Sequence, residues 1–141
     1  MQHRGGPAGF LKVIDASTLG FADYRGNRQY VSVGNLANND RVALILVDYP
    51  NRARLKILGH ARLIGTDEPE LLARLNIPGY RAFVERGFVI RVAGFDWNCP
   101  QHITPRFTQA EVQSVIDPLR ARIAELEAQL KISDSAGQQA K

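Results

Sequence analysis

The sequence predicts a mainly β protein: a small β-barrel with short helices between its strands and helices at its C-terminus. Three observations point to this class. Short apolar runs bounded by turn residues recur through the first hundred residues. Most neighbouring runs are spaced as hairpins. After residue 107 the hydrophobic period lengthens from two to a heptad. The 141 residues therefore divide into a barrel domain over 1–107, a helical segment over 108–132 and a small, polar, disordered tail over 133–141.

Residues 10–15, Phe-Leu-Lys-Val-Ile-Asp, read as a strand that places Lys12 among apolar neighbours. A turn at Asp15-Ala16-Ser17-Thr18 leads to a second strand over 19–23, and the pair forms a hairpin. Gly26-Asn27-Arg28-Gln29-Tyr30 follows. Glycine turns the chain, Asn27 caps a helix over about 28–33, and Arg28 falls in its first turn beside the exposed backbone N–H groups. That arrangement is a seat for a phosphate, with Lys12 pointing at the same anion. The plainer alternative is a capped turn with a solvated arginine, and Lys12 on the solvated face of its strand. Gly34 and Asn35 stop the helix, and Asn38-Asn39-Asp40 turn the chain again.

Val42-Ala43-Leu44-Ile45-Leu46-Val47 is apolar on both alternations, which places it in the middle of a closed barrel with both faces buried. A turn at Asp48-Tyr49-Pro50-Asn51 joins it to a strand over 54–64. There Arg54, Lys56 and Leu58 share one face, Leu55, Ile57 and Gly59 the other, and Gly59 invites a bulge. Asp67 caps a small helix over 68–75 with Pro69 in its first turn. The last strand covers 87–97. Thr108-Gln109-Ala110-Glu111 forms a capping box, and Asp117-Pro118 restarts a helix. Val112, Ile116, Leu119, Ile123, Leu126 and Leu130 step alternately by four and three. This seam packs on its own barrel or on a second subunit.

Composition narrows the function. A hydrophobic content of 45% is enough for one domain with a core. No apolar run is long enough to cross a membrane and no signal peptide is visible, so the expected compartment is the cytoplasm. Cys99 is the single cysteine, which agrees with a reducing environment. The formal charge of +4 suits an anionic ligand. The basic residues are spread out rather than striped, which argues against nucleic acid. No catalytic triad, Walker motif or dinucleotide glycine motif is present. Cys99 and His102 offer two metal ligands of the four a site needs, so no metal is assigned. No catalytic side chain is assigned either, and any chemistry resides in a bound cofactor.

Four stretches carry a resemblance: His3-Arg4-Gly5-Gly6-Pro7 with Gly9-Phe10-Leu11; Gly26-Asn27-Arg28-Gln29-Tyr30; Asn35-Leu36; and Phe95-Asp96-Trp97-Asn98-Cys99-Pro100-Gln101-His102-Ile103. They resemble the flavin-nucleotide-binding relatives of pyridoxamine 5′-phosphate oxidase, from residue 2 to about 130. The resemblance implies an FMN-binding split barrel with C-terminal helices, usually a homodimer with FMN in clefts between subunits. It implies that Lys12 and Arg28 grip the phosphate, with Asn27 and Gln29 alongside. Main-chain groups of Phe10-Leu11 and Phe21-Ala22 would meet the isoalloxazine, with Arg54 and Trp97 nearby and Arg4 a further candidate.

The activity implied is that of an FMN-dependent oxidoreductase of unassigned substrate. The alternatives are a non-enzymatic module that stores or senses flavin or haem, the haem held through His60 or His102, and a reductase using the deazaflavin F420. Two departures stand out. The chain begins in what resembles the second strand of relatives, which would leave a barrel edge unpaired. No Arg-Leu-His run follows Trp97, so vitamin B6 oxidation is not implied.

Overall fold

One central strand organises the sheet. The elements in order are β1 (Lys12–Asp15), β2 (Thr18–Tyr24), α1 (Val31–Leu36), β3 (Arg41–Asp48), β4 (Ala53–Ile64), α2 (Pro69–Leu75), β5 (Val84–Trp97) and α3 (Gln109–Gln139). The structure is a computed structural model that describes residues 2–26, 28–99 and 101–139. The hydrogen-bonded strand order is β1-β2-β5-β4-β3. β5 pairs with β2 from Tyr24↔Val84 to Thr18↔Arg91, and with β4 from Ile64↔Gly87 to Leu55↔Trp97. β1 and β2 form the predicted hairpin. The register shifts between Leu58 and Gly59, the predicted bulge; a Cβ at Gly59 would lie 2.5 Å from the Arg91 carbonyl oxygen. This is the mainly β class, with a C-terminal helix, that the sequence predicts. No helix among the described residues is long and apolar enough to cross a membrane.

Alternation sends successive side chains to opposite faces, and both faces of the central strands are covered. On one, Phe21, Ala61, Phe88 and Ile90 are buried, with Phe21 stacked on Phe88 at 5.0 Å. Phe10, Leu11, Val33, Leu36, Val42 and Leu44 pack over them. On the other, Ala22, Ile64 and Val89 meet Leu75 of α2, which is wholly buried. Leu75 enters a slot that exists because two strand positions lack a side chain. A Cβ at Gly87 would lie 2.6 Å from Leu75 Cδ1, and one at Gly20 would lie 2.8 Å from Leu75 Cδ2.

Several expectations are corrected. β3 lies at the edge of the sheet, with Ile45 and Val47 exposed, rather than buried on both faces in the middle of a barrel. An all-apolar run says that both faces seek cover without saying what covers them. Within one copy only the Val42 and Leu44 face is packed. α1 starts at Val31 and contains Gly34 and Asn35 instead of ending there. Asp67 accepts a hydrogen bond from Gly65 N–H at 3.0 Å, and the N-cap of α2 is Glu68.

The chain divides into two compact units, Met1–Val47 with Ala53–Pro100, and Asp48–Arg52 with Gln101–Lys141. In the second, the capping box forms: the Glu111 carboxylate accepts from Thr108 N–H and hydroxyl, both at 2.7 Å. α3 then runs unbroken through Pro118 and continues over 133–139, where the sequence expects a disordered tail. Helix extension adds one hydrogen bond per residue fixed once the costly first turn exists. The last two tail residues lie outside the described residues.

Leu75→Ala is expected to lower stability by about 2–5 kcal/mol, and Gly87→Ala by about 1–3 kcal/mol through overpacking. The double variant should lose less than the sum, because the new methyl enters the space Leu75 vacates. Urea unfolding midpoints of the three variants check this.

Candidate cofactor-binding site

The loop after β2 is pinned at both ends to the start of β5. At one end Arg25 N–H donates to the Phe83 carbonyl at 2.8 Å, its guanidinium lies 4.2 Å from the Phe83 ring centroid, and Nε donates to Glu85 at 3.1 Å. At the other, the Tyr30 hydroxyl donates to Glu85 at 3.2 Å and the Arg86 guanidinium sits 4.8 Å from the Tyr30 ring centroid. Between these anchors Arg28 is exposed, without a hydrogen-bond or ion-pair partner among the described residues. Arg28 and Tyr30 both hold left-handed backbone, with φ of 58° and 50°. Such conformations are costly for non-glycine residues; they persist where the surroundings over-determine them, and they cluster at ligand clamps.

These anchors also move the helix. The N-cap position is Tyr30, so Arg28 precedes α1 instead of lying in its first turn. The first turn finds its acceptor far away in sequence: Gln2 Oε1 receives the Ser32 N–H at 3.1 Å. Asn27, the expected cap, lies outside the described residues, and Gln29 is exposed.

A second element is a gap in the β1–β2 ladder. Lys12 pairs with Gly20, so the register carried two steps further would set Leu11 opposite Phe21 and Phe10 opposite Ala22. β1 begins only at Lys12, however, and Phe10 N–H turns back to the Pro7 carbonyl at 3.0 Å. Phe21 and Ala22 border this gap but are buried as whole residues, main chain included. Lys12 is half-buried beside this gap and has no ion-pair partner among the described residues.

Over the gap opens a cleft of about 610 Å³, bordered by Arg4, Phe10, Ala22, Asp23, Tyr24 and Tyr80. Arg4 binds Asp23 at 3.1 Å and lies 5.3 Å from the Phe88 ring centroid; Arg86 Nε is 3.6 Å from the other Asp23 oxygen. The Asp23 side chain is only 6% exposed. Burial raises its pKa, Arg4 and Arg86 pull it back, and Glu85 adds to the rise. Tyr24 is edge-on to Tyr80 at 5.0 Å, and burial, then Tyr80, raises its pKa, so its hydroxyl stays a proton donor. Tyr24 Oη and Arg4 Nε are buried without a hydrogen-bond partner among the described residues.

The remaining expected site residues lie elsewhere. Trp97 pairs with Leu55, and the neighbouring Arg54 carbonyl accepts Asn98 N–H at 3.1 Å. Phe95 and Trp97 are 68% and 59% exposed. Along β5, Trp97 is on the order of 30 Å from Phe88 at a rise of about 3.3 Å per residue. One chain thus gathers Phe10, Leu11, Lys12, Phe21 and Ala22, attaches Arg28 on the next loop, and sets Arg54 and Trp97 at the far end of the sheet. Of the histidines considered for haem, His60 has Nδ1 3.0 Å from Asp40, and His102 is exposed. Sequence reasoning missed Asp23, Tyr24, Tyr80 and Glu85. Asp23 left a trace, a carboxylate closing the apolar run Leu19–Ala22.

Residues 2–85 match the family described as Pyridoxamine 5′-phosphate oxidase, a span of more than half the chain that holds the cleft and the pinned loop. The chain belongs to this family. The pyridoxamine 5′-phosphate oxidase-like family commonly binds flavin. Among solved structures, a tagged variant of HupZ from Group A Streptococcus is similar at 17% identity and a TM-score of 0.49, over 66% of this chain and 76% of that one. No curated protein matches the chain.

The residues present fit a flavin nucleotide. Lys12 and Arg28 are cations without an ion-pair partner among the described residues, though neither lines the cleft, and Tyr24 Oη and Arg4 Nε at the cleft lack hydrogen-bond partners among the described residues. The loop that carries Arg28 depends on Glu85. Burial pushes the Glu85 carboxyl up, but hydrogen bonds from Arg25, Tyr30 and Arg86 outweigh it, and its pKa ends below the ordinary value. A lowered carboxylate pKa contributes stability above the unfolded value of about 4.3, and that contribution is lost as pH falls through the folded value. Asp23, raised, has the opposite sign: its contribution is complete when it is protonated and is lost as pH rises. Glu85→Gln should therefore lower the thermal midpoint at pH 7, and the gap to the unmodified chain should close below about pH 4. Melting curves across pH 3–8 measure this.

Proposed function

We propose that this protein binds FMN as a homodimer and acts as an FMN-dependent oxidoreductase on a small molecule. The observation that carries the reading is the division of the site between the two ends of β5. The cleft end has the cations, the ladder gap and the orphaned donors. The far end has Arg54 beside the exposed Phe95 and Trp97. A flavin nucleotide is too short to touch both ends of one chain. In a two-fold pair, each cleft is completed by the far end of the second copy, and the apolar far end is buried.

In this reading Arg28 and Lys12 hold the phosphate by charge-assisted hydrogen bonds. The strained, pinned loop keeps Arg28 oriented before binding, which lowers the ordering cost. Tyr24 Oη donates into the cleft. The main chain of Phe10-Leu11 orients the ring system, and Trp97 of a second copy excludes water from it. When bound, FMN supplies the hydride and electron chemistry that no side chain of this chain offers.

Trp97 is the sole tryptophan, so its fluorescence reports directly on the cleft. Titration of flavin-free protein with FMN is expected to quench it. Arg28→Ala should weaken binding about 10- to 100-fold, the loss of a hydrogen bond to a charged group worth about 1.5–3 kcal/mol. Protein that takes up no FMN by absorbance or fluorescence would overturn the proposal. Competition by F420, or a Soret band on adding haem, would reassign the cofactor.

A further inference from the structure

α3 presents an apolar stripe that no described residue of its own unit covers. Val112, Leu119, Ile123, Leu126 and Leu130 are exposed, Leu119 and Leu130 by 59% and 64%. The spacing assigns heptad positions without ambiguity: Ile116, Ile123 and Leu130 fall at a, and Val112, Leu119 and Leu126 at d. We infer that α3 pairs with α3 of a second copy as a parallel, in-register, two-stranded coiled coil.

Two features argue for that occupant, and the first is the one that separates parallel from antiparallel. The first is shape. β-Branched isoleucine at a with leucine at d is the combination that favours parallel dimers. The second is charge. Arg122 falls at g and Glu127 at e, five positions apart, the offset by which g of one helix meets e of the next heptad in a parallel partner. Two-fold symmetry makes this ion pair twice. An antiparallel pair would set g against g, where Val115, Arg122 and Gln129 give Arg122 no acid, and e against e, where Arg120 meets Glu127, so charge admits both directions and the a and d shapes favour the parallel one.

The single copy is consistent with this exchange. Arg122 now binds Glu125 at 2.6 Å on the exposed helix surface, an i,i+3 pair of small value that is easily given up. Pro118 falls at c, on the outer side, so its missing N–H does not interrupt the seam. Two to three heptads make a weak pair alone. The sheet dimer proposed above would hold the helices at high effective concentration, and to that extent the coil rests on that reading.

The test uses the full chain in a Cys99→Ser background. Leu126→Cys at d should give a covalent dimer under mild oxidation, reversed by dithiothreitol, while Glu125→Cys on the outer face should not. Arg122→Glu added to Leu126→Cys should lower the yield severalfold, and Glu127→Arg added to both should restore it. Equal yields from the two cysteines, or none from Leu126→Cys, would overturn the coil. Gel filtration and FMN titration of the same variants separate the proposals. A dimer that binds FMN but does not crosslink removes the coil alone, whereas a monomer that neither crosslinks nor binds FMN removes both.

Discussion

A run of alternating charges threads the first unit and positions most of what matters: Arg4, Asp23, Arg86, Glu85 and Arg25. Asp23 is the member most withdrawn from water, and a buried carboxylate is tolerated only when paired. Its two arginines come from the N-terminal segment and from β5, so satisfying one charge ties three parts of the chain together. Glu85 extends the run to both ends of the loop that carries Arg28. Removing a partner would leave a buried charge uncompensated, which costs far more than an exposed ion pair contributes. The cleft owes its shape to this constraint, since Arg4 and Asp23 are among its walls.

The apolar surfaces follow a second logic. The two faces of β2 and β5 are covered near Phe88 and Val89 by the N-terminal segment, α1 and α2. Toward Trp97 the cover stops. Phe95, Trp97, Ile45 and Val47 remain open to solvent in a single copy. α3 repeats the pattern with a seam of isoleucine and leucine. Exposed apolar groups gathered in this way mark interaction surfaces, and for both units the partner proposed is a second copy of the chain.

Local signals read reliably where the interactions were local. The β1–β2 hairpin and the capping box Thr108–Glu111 each depend on residues within a few positions, and each formed as read; the bulge at Gly59 also formed, against the distant Arg91 carbonyl. The helix start expected at Arg28 did not. Asn27 and Arg28 look like a cap and a first helical turn, yet Glu85, 55 residues from Tyr30, holds the backbone out of the helix until Val31. The Val42–Val47 strand failed for a related reason: hydrophobicity records the need for cover, not its source. Tyr24 and Tyr80 gave no local sign of the contact that walls the cleft.

What the amino-acid sequence determined by itself was the class of fold and the family, together with a set of candidate residues for an anionic cofactor, because periodicity, turn chemistry and motif spacing are local properties. Only the tertiary structure decided where those residues stand. It packed Phe10 and Leu11 against the core around Phe21, freed Arg28 from the helix through a distant carboxylate, and set Arg54 and Trp97 at the other end of β5. Pairing between strands far apart in sequence made that arrangement, and no window of the sequence contains it.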